Sequence, residues 1–200
     1  MAFDWLLREC RLPGHEGTCD LAIAGGRVVA VAPRLAGTAN RELAVPGRLV
    51  LPGFRNAQAR LVAPAPELEG RAALLLETAV RHGTTTIRLS VPLDVDEPLM
   101  PLRLLARLRA QLATRLGIEL SLGLSADVVR RPRGLATLLR SARRAGADAV
   151  DVAIDRDTVG ALAPLLGSLG ETGLSLDLAV DTDLPPDRVR PEALALTHVV

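Results

Sequence analysis

The sequence has no lysine: all 24 of its basic residues are arginine. That excludes a Schiff-base lysine, a phosphate-loop lysine and a carbamylated lysine bridging two metal ions. Tyrosine is missing too, and aromatic residues make up 2% of the chain. So few rings cannot build a platform on which nucleic-acid bases stack. Neither sign of charge dominates, since 24 arginines face 23 acidic residues for a formal net charge of +1. This argues against nucleic-acid binding by bulk electrostatics. Cysteine is confined to Cys10 and Cys19, with eight residues between them and no C-x-x-C. With no signal-peptide pattern either, a reduced, cytoplasmic setting is expected. The two cysteines read either as small structural residues or as a redox pair. No apolar run reaches the ~18 residues of a membrane span, so no membrane partner is expected.

What is present suffices for a core: 48% of residues are hydrophobic and the mean hydropathy is +0.25. The 200 residues suit one domain, or one with a small appendage, at roughly 100–200 residues per domain. They fall short of the ~250 residues of a complete (β/α)8 barrel. Short apolar stretches over 4–12, 21–24, 28–32, 42–45 and 49–51 are punctuated by Pro13-Gly14, Gly25-Gly26 and Pro46-Gly47. They predict a small β module over residues 1–50.

Beyond Pro52-Gly53 the period changes. Leu68, Ala72, Leu75, Leu76 and Ala79 recur at helical spacing, and further helices are expected over 98–116, 132–145, 158–169 and 189–195. Between them lie strand patterns over 84–89, 118–124, 149–154, 174–180 and 197–200. Such alternation predicts an α/β array with a parallel sheet over residues 51–200, wound as an open sheet or a barrel.

The junction Gly47-Arg48-Leu49-Val50-Leu51-Pro52-Gly53-Phe54 resembles the segment leading into the first barrel strand of the amidohydrolase superfamily. LAIAGGRVVAVAP at 21–33 resembles that superfamily's N-terminal β module. HGTTTIRLS at 82–90, GLSLDLAVDT at 173–182 and Leu196-Thr197-His198 resemble the second-, fifth- and sixth-strand motifs of its cytosine-deaminase-like branch. The resemblance implies an N-terminal β module followed by a TIM-barrel-type (β/α) array. About five βα units and the start of a sixth can be counted, against eight in a closed barrel. An incomplete array with an open edge is therefore expected.

In that family a divalent metal at the C-terminal mouth of the barrel activates a water that attacks a C–N carbon, and a nearby acid shuttles protons. The resemblance places its first-strand ligands, a His-x-His, at Gln58-Ala59-Arg60, and the Asp before them at Asn56. Glutamine is a poor neutral ligand, and arginine stays charged. The second-strand ligand falls on Ser90, the fifth-strand ligand on Ala179 and the catalytic Glu on Thr182, while His198 matches the sixth-strand His. No metal and no cofactor is expected.

The candidate ligand-binding residues are Gln58, Arg60, Arg88, Ser90, Asp181 and His198. Gln58 and Arg60 read as a pocket for an anionic or amide ligand, or as a drifted site with Arg60 paired to Asp181 or another carboxylate. Arg88 and Ser90 share one strand face, and a structural salt bridge is the ordinary role for Arg88. His198 reads as a buried histidine or a lone ligand. Asp94 and Asp96 read as part of a solvated loop or of the site.

These readings lead to an amidohydrolase-like protein that has lost the metal-binding motif and its C–N hydrolase activity. Two alternatives stand beside it. One is an interaction or regulatory subunit that completes its barrel with a second copy or another chain. The other is an enzyme with repurposed, metal-independent chemistry acting on a small polar ligand.

Overall fold

The computed structural model describes residues 2–93, 97–131, 133–154 and 159–180. The chain divides into two compact units, residues 1–52 and 53–200. The first is a four-stranded sheet in the order β3-β2-β1-β4, built from β1 (Ala2–Cys10), β2 (Cys19–Ala24), β3 (Arg27–Ala32) and β4 (Thr38–Ala44). β1 pairs antiparallel with β2 and parallel with β4. The β2–β3 turn is Gly25-Gly26, both at positive φ (57° and 72°). Two successive positive φ values define a two-residue hairpin that follows the natural strand twist, and glycine adopts them without strain.

A clamp braces this sheet. Asp20 is 3% exposed. It accepts hydrogen bonds from the Glu9 N–H (3.0 Å), the Leu35 N–H (3.0 Å) and Arg8 Nη1 (2.7 Å). Arg8 also donates to the Leu35 carbonyl at 2.7 Å and to Glu42 on β4. The pair ties three strands and the segment after β3 together.

In the second unit five parallel strands follow one another in chain order: β5 (Phe54–Arg60), β6 (Thr84–Pro92), β7 (Gly117–Leu124), β8 (Ala149–Ile154) and β9 (Ser175–Val180). The helices are α1 (Ala65–Arg81), α2 (Met100–Leu112), α3 (Ala126–Val129), α4 (Leu135–Ala145) and α5 (Leu162–Leu169). Alternation sorts the strand residues by face. Ile87, Leu89 and Val91 of β6, Leu120 and Leu122 of β7, and Val150 and Val152 of β8 are buried against the helices. They meet Leu68, Ala72 and Leu76 of α1, Leu102 and Leu105 of α2, and Leu135 and Leu139 of α4. Each such leucine taken from water contributes about 1.5–3 kcal/mol. The architecture is the expected β module followed by a parallel β/α half barrel.

Several boundaries differ from the pattern. Residues 49–51 are not a strand: Leu49 makes an isolated bridge to Arg11, and the first barrel strand is Phe54–Arg60, whose Asn56, Gln58 and Arg60 alternate only with the small Ala57 and Ala59. β4 begins at Thr38 rather than 42, because an exposed edge strand tolerates polar residues. α2 stops at Leu112 rather than 116. Leu116 keeps the helical spacing yet is buried at the entrance to β7, which Gly117 opens rather than capping the helix. The expected elements over 189–195 and 197–200 lie outside the described residues.

Gly53 in the Pro-Gly-Phe entry to β5 is required by a close approach. A Cβ built there would lie 2.1 Å from Thr85 Cγ2 and 2.8 Å from Thr85 Cβ. Gly53→Ala should therefore lower stability by about 1–2 kcal/mol, measured by urea denaturation followed by circular dichroism. An unchanged midpoint would show that Thr85 moves aside freely.

Candidate functional site

The strand residues pointing away from the helices line one polar face. In a closed barrel this interior is filled by layers of bulky branched residues. Here the same positions carry Arg88 and Ser90 on β6, Glu119, Ser121 and Gly123 on β7, Ala149 and Asp151 on β8, and Asp177 on β9.

Two networks cross this face. In the first, Arg55 Nη2 donates to Glu119 Oε1 (2.9 Å) and Oε2 (3.1 Å). Arg88 Nε donates to Glu119 Oε2 at 2.8 Å, and Arg88 Nη1 pairs with Asp177. The Arg88 side chain is 16% exposed, against 30% for Glu119 and 20% for Asp177. Burial opposes the charge on Arg88, but the hydrogen bonds to Asp177 and Glu119 outweigh it and raise its pKa. In the second, Ser90 Oγ (2.6 Å) and Ser121 Oγ (3.0 Å) both donate to Asp151 Oδ1, and all three residues are buried.

A cavity of about 310 Å³ opens beside the first network, lined by Arg55, Ala57, Gln58, Arg88, Asp177 and Leu178. That is the lower end of small-ligand sites. Its two guanidiniums are matched by Glu119 and Asp177, so an uncharged polar or zwitterionic molecule fits better than a strong anion. A larger cavity of about 720 Å³ in the first unit is lined by the Arg8–Asp20 clamp with Glu42 and Arg34. Asp20 and Glu42 there are already engaged by Arg8.

The structure brings some predicted residues together. Gln58 and Arg88 line one cavity, and Arg60 stands opposite Ser90 in the β5–β6 register. Arg60 is exposed and makes no ion pair among the described residues. Arg88 is a salt-bridge residue, and Ser90 is committed to Asp151. Asp94, Asp96, Asp181, Thr182 and His198 lie outside the described residues. Two arginines of the helical region pair locally, Arg130 with Asp127 (2.7 Å) and Arg143 with Asp148 (3.4 Å). Sequence reasoning overlooked Arg55, Glu119, Ser121 and Asp151. For Glu119, Ser121 and Asp151 the signal was a period of two: polar or small residues alternate with leucine in IELSLGL and with valine in VDVAI. Among the described residues no three His, Cys, Asp or Glu side chains are grouped to hold a metal ion.

A small β module before a parallel β/α half barrel defines an amidohydrolase-like fold, and solved structures of amidohydrolase superfamily members match it over part of their length. N-isopropylammelide isopropylaminohydrolase from Burkholderia multivorans is 25% identical, with a TM-score of 0.69 over 88% of this chain and 52% of that one. An adenine deaminase matches at 14% identity and a TM-score of 0.58, over 92% of this chain and 52% of its own. Dihydropyrimidinase from Brevibacillus agri matches at 19% and 0.55, over 86% and 39%. The last two show likeness of fold alone. The chain spans about half the length, or less, of the structures it matches. No protein-family model matches the sequence, and no curated protein does. No helix among the described residues is long and apolar enough to cross a membrane.

Proposed function

We propose that this chain is a degenerate amidohydrolase-like protein of the cytosine-deaminase-like branch, without C–N hydrolase activity of the family kind. The observation that carries the reading is the Arg60–Ser90 register at one end of the sheet. Where the resemblance implies imidazole ligands, the strand ends offer the Gln58 amide, the Arg60 guanidinium and the Ser90 hydroxyl. A permanent cation at a ligand position repels a divalent ion, and Ser90 is already donating to Asp151. Glu119 and Asp177 are held by Arg55 and Arg88. This donor set does not fit the family's metal.

The test is elemental analysis of the full chain after loading with zinc or ferrous iron, together with an ammonia-release assay on cytosine and related rings. Far less than one metal per chain and no ammonia are expected. Stoichiometric metal accompanied by ammonia release would overturn the reading.

A second reading, that a partner chain completes the sheet, is supported by the edge strand β5. Phe54 on this strand is 56% exposed, and Val62, two residues past its end, is 63% exposed. Light scattering after size-exclusion separates the two: an oligomer that dissociates on Phe54→Ser supports it, and a stable monomer at micromolar concentration counts against it.

A further inference from the structure

Cys10 and Cys19 stand directly opposite each other across β1 and β2. A β-bulge puts them there. Between the pairs Leu7↔Leu21 and Cys10↔Cys19, β1 advances by three residues while β2 advances by two. Glu9 lies within the bulge with φ at 57°, a left-handed conformation that is costly for any residue with a side chain. Its N–H is held by Asp20 Oδ1 at 3.0 Å. Because side chains alternate along a strand, the extra residue turns Cys10 onto the face of Leu7, where Cys19, Leu21 and Ile23 also lie. Without it, Cys10 would point to the opposite face from Cys19.

The spacing suits a covalent bond. Opposed residues of an antiparallel pair have Cα atoms about 4.5–5.5 Å apart, inside the roughly 4.4–6.8 Å that a disulfide spans. The Cys10 thiol lies over its neighbour and donates to the Cys19 carbonyl at 3.1 Å. Both side chains are buried and both thiols are free. They sit at the base of the loop 11–18, whose residues 13–18 are all exposed, and are covered by Leu12, Val45 and Val50, so local opening of this end, with loss of the Arg11–Arg48 and Val50–Arg11 backbone hydrogen bonds (2.8 Å each), uncovers them.

We propose that Cys10 and Cys19 form a redox-active dithiol that closes to a cross-strand disulfide on exchange with a low-molecular-weight disulfide. The Cys10 Sγ–H is engaged by the Cys19 carbonyl, and burial and then the neighbouring Cys19 thiol raise the Cys10 pKa, so the first exchange is placed at Cys19. The Cys19 thiolate attacks one sulfur of the reagent, whose S–S bond breaks and releases one thiol. Cys10, losing its proton, then attacks the Cys19 sulfur of the mixed disulfide and expels the second thiol. The protein gives up two protons and two electrons, and the reagent disulfide is reduced to two thiols. The product locks the β1–β2 hairpin.

The test poises the full wild-type chain in glutathione buffers from reducing to oxidising, quenches with acid, alkylates and measures intact mass. A product lighter by two hydrogens is expected, with peptides 10 and 19 linked and the change reversed by dithiothreitol. The oxidised form should unfold at a higher urea midpoint in Trp5 fluorescence. The Cys10→Ala variant should instead retain one glutathione on Cys19. Persistent glutathione adducts on the wild type, intermolecular dimers, or two thiols still reduced at the oxidising end would each overturn the proposal.

Discussion

Asp20→Ala lowers the stability of the first unit by about 2–4 kcal/mol. The side chain is 3% exposed and accepts from two backbone N–H groups and a guanidinium. Truncation leaves the half-buried Glu9 and Leu35 N–H hydrogen bonds without their acceptor and Arg8 without one of its carboxylates, and donors that lose a charged acceptor each cost about 1–2 kcal/mol where water reaches them only in part. The loss also releases Glu9 from its left-handed conformation, so the bulge that orients Cys10 should relax as well. Trp5, the single tryptophan, lies on β1 beneath Arg41 at 5.0 Å and reports on this unit alone. Urea unfolding followed by its fluorescence measures the effect, and a change under about 0.5 kcal/mol would show that water replaces the clamp.

The same group sets a pH dependence. Burial pushes the Asp20 carboxyl upward, but the Leu35 N–H, the Arg8 guanidinium and the Glu9 N–H together outweigh it and hold it below the ordinary value. A depressed folded-state pKa contributes stability that is fully present above the unfolded value, about 3.9, and lost as pH falls through the folded one. The wild type should therefore exceed Asp20→Asn in stability at neutral pH, and the gap should narrow below about pH 4. A gap that stays constant to low pH would assign it to shape rather than charge.

The second large effect is at Arg88. Arg88→Met removes the cation that joins Glu119 to Asp177, leaving two carboxylates on one face, with only Glu119 still paired among the described residues, through Arg55. A loss of about 2–3 kcal/mol is expected, on the lower side for a broken buried pair because both carboxylates keep some contact with water. Adding Asp177→Asn should recover part of it, with a coupling of about 1 kcal/mol in a double-mutant cycle. Far-UV circular dichroism during urea unfolding reads all four proteins. Strictly additive effects would mean that β6 and β9 are not held together by this bridge.

Much of the architecture was legible along the chain. The leucine spacing in α1 and α4 and the β-branched stretch of β6 define their elements locally, because helix and strand periods are properties of neighbouring residues. Polar β5 was hard to read from period, since Asn56, Gln58 and Arg60 alternate only with the small Ala57 and Ala59 and with no β-branched residue; the flanking Pro-Gly-Phe resemblance pointed to a strand there. The extra turn assigned to α2 came from Leu116, whose spacing continues the helix while its burial belongs to the next strand. At the candidate site, Arg88 and Ser90 could be placed on one face, but their partners could not: Arg88 and Asp177 are 89 residues apart, and Ser90 and Asp151 are 61.

By itself the sequence determined the order of β module and βα units. It also settled the absence of lysine, whereas only the resemblance sets Gln58, Arg60, Ser90 and Ala179 at positions where imidazole ligands are implied. The tertiary structure alone decided that the face opposite the helices is bound by its own ion pairs, and that Cys10 faces Cys19. Both depend on register between separate strands. One inserted residue reverses which face every later side chain takes, and a bulge at Glu9, held by Asp20 eleven residues away, leaves no mark in local composition.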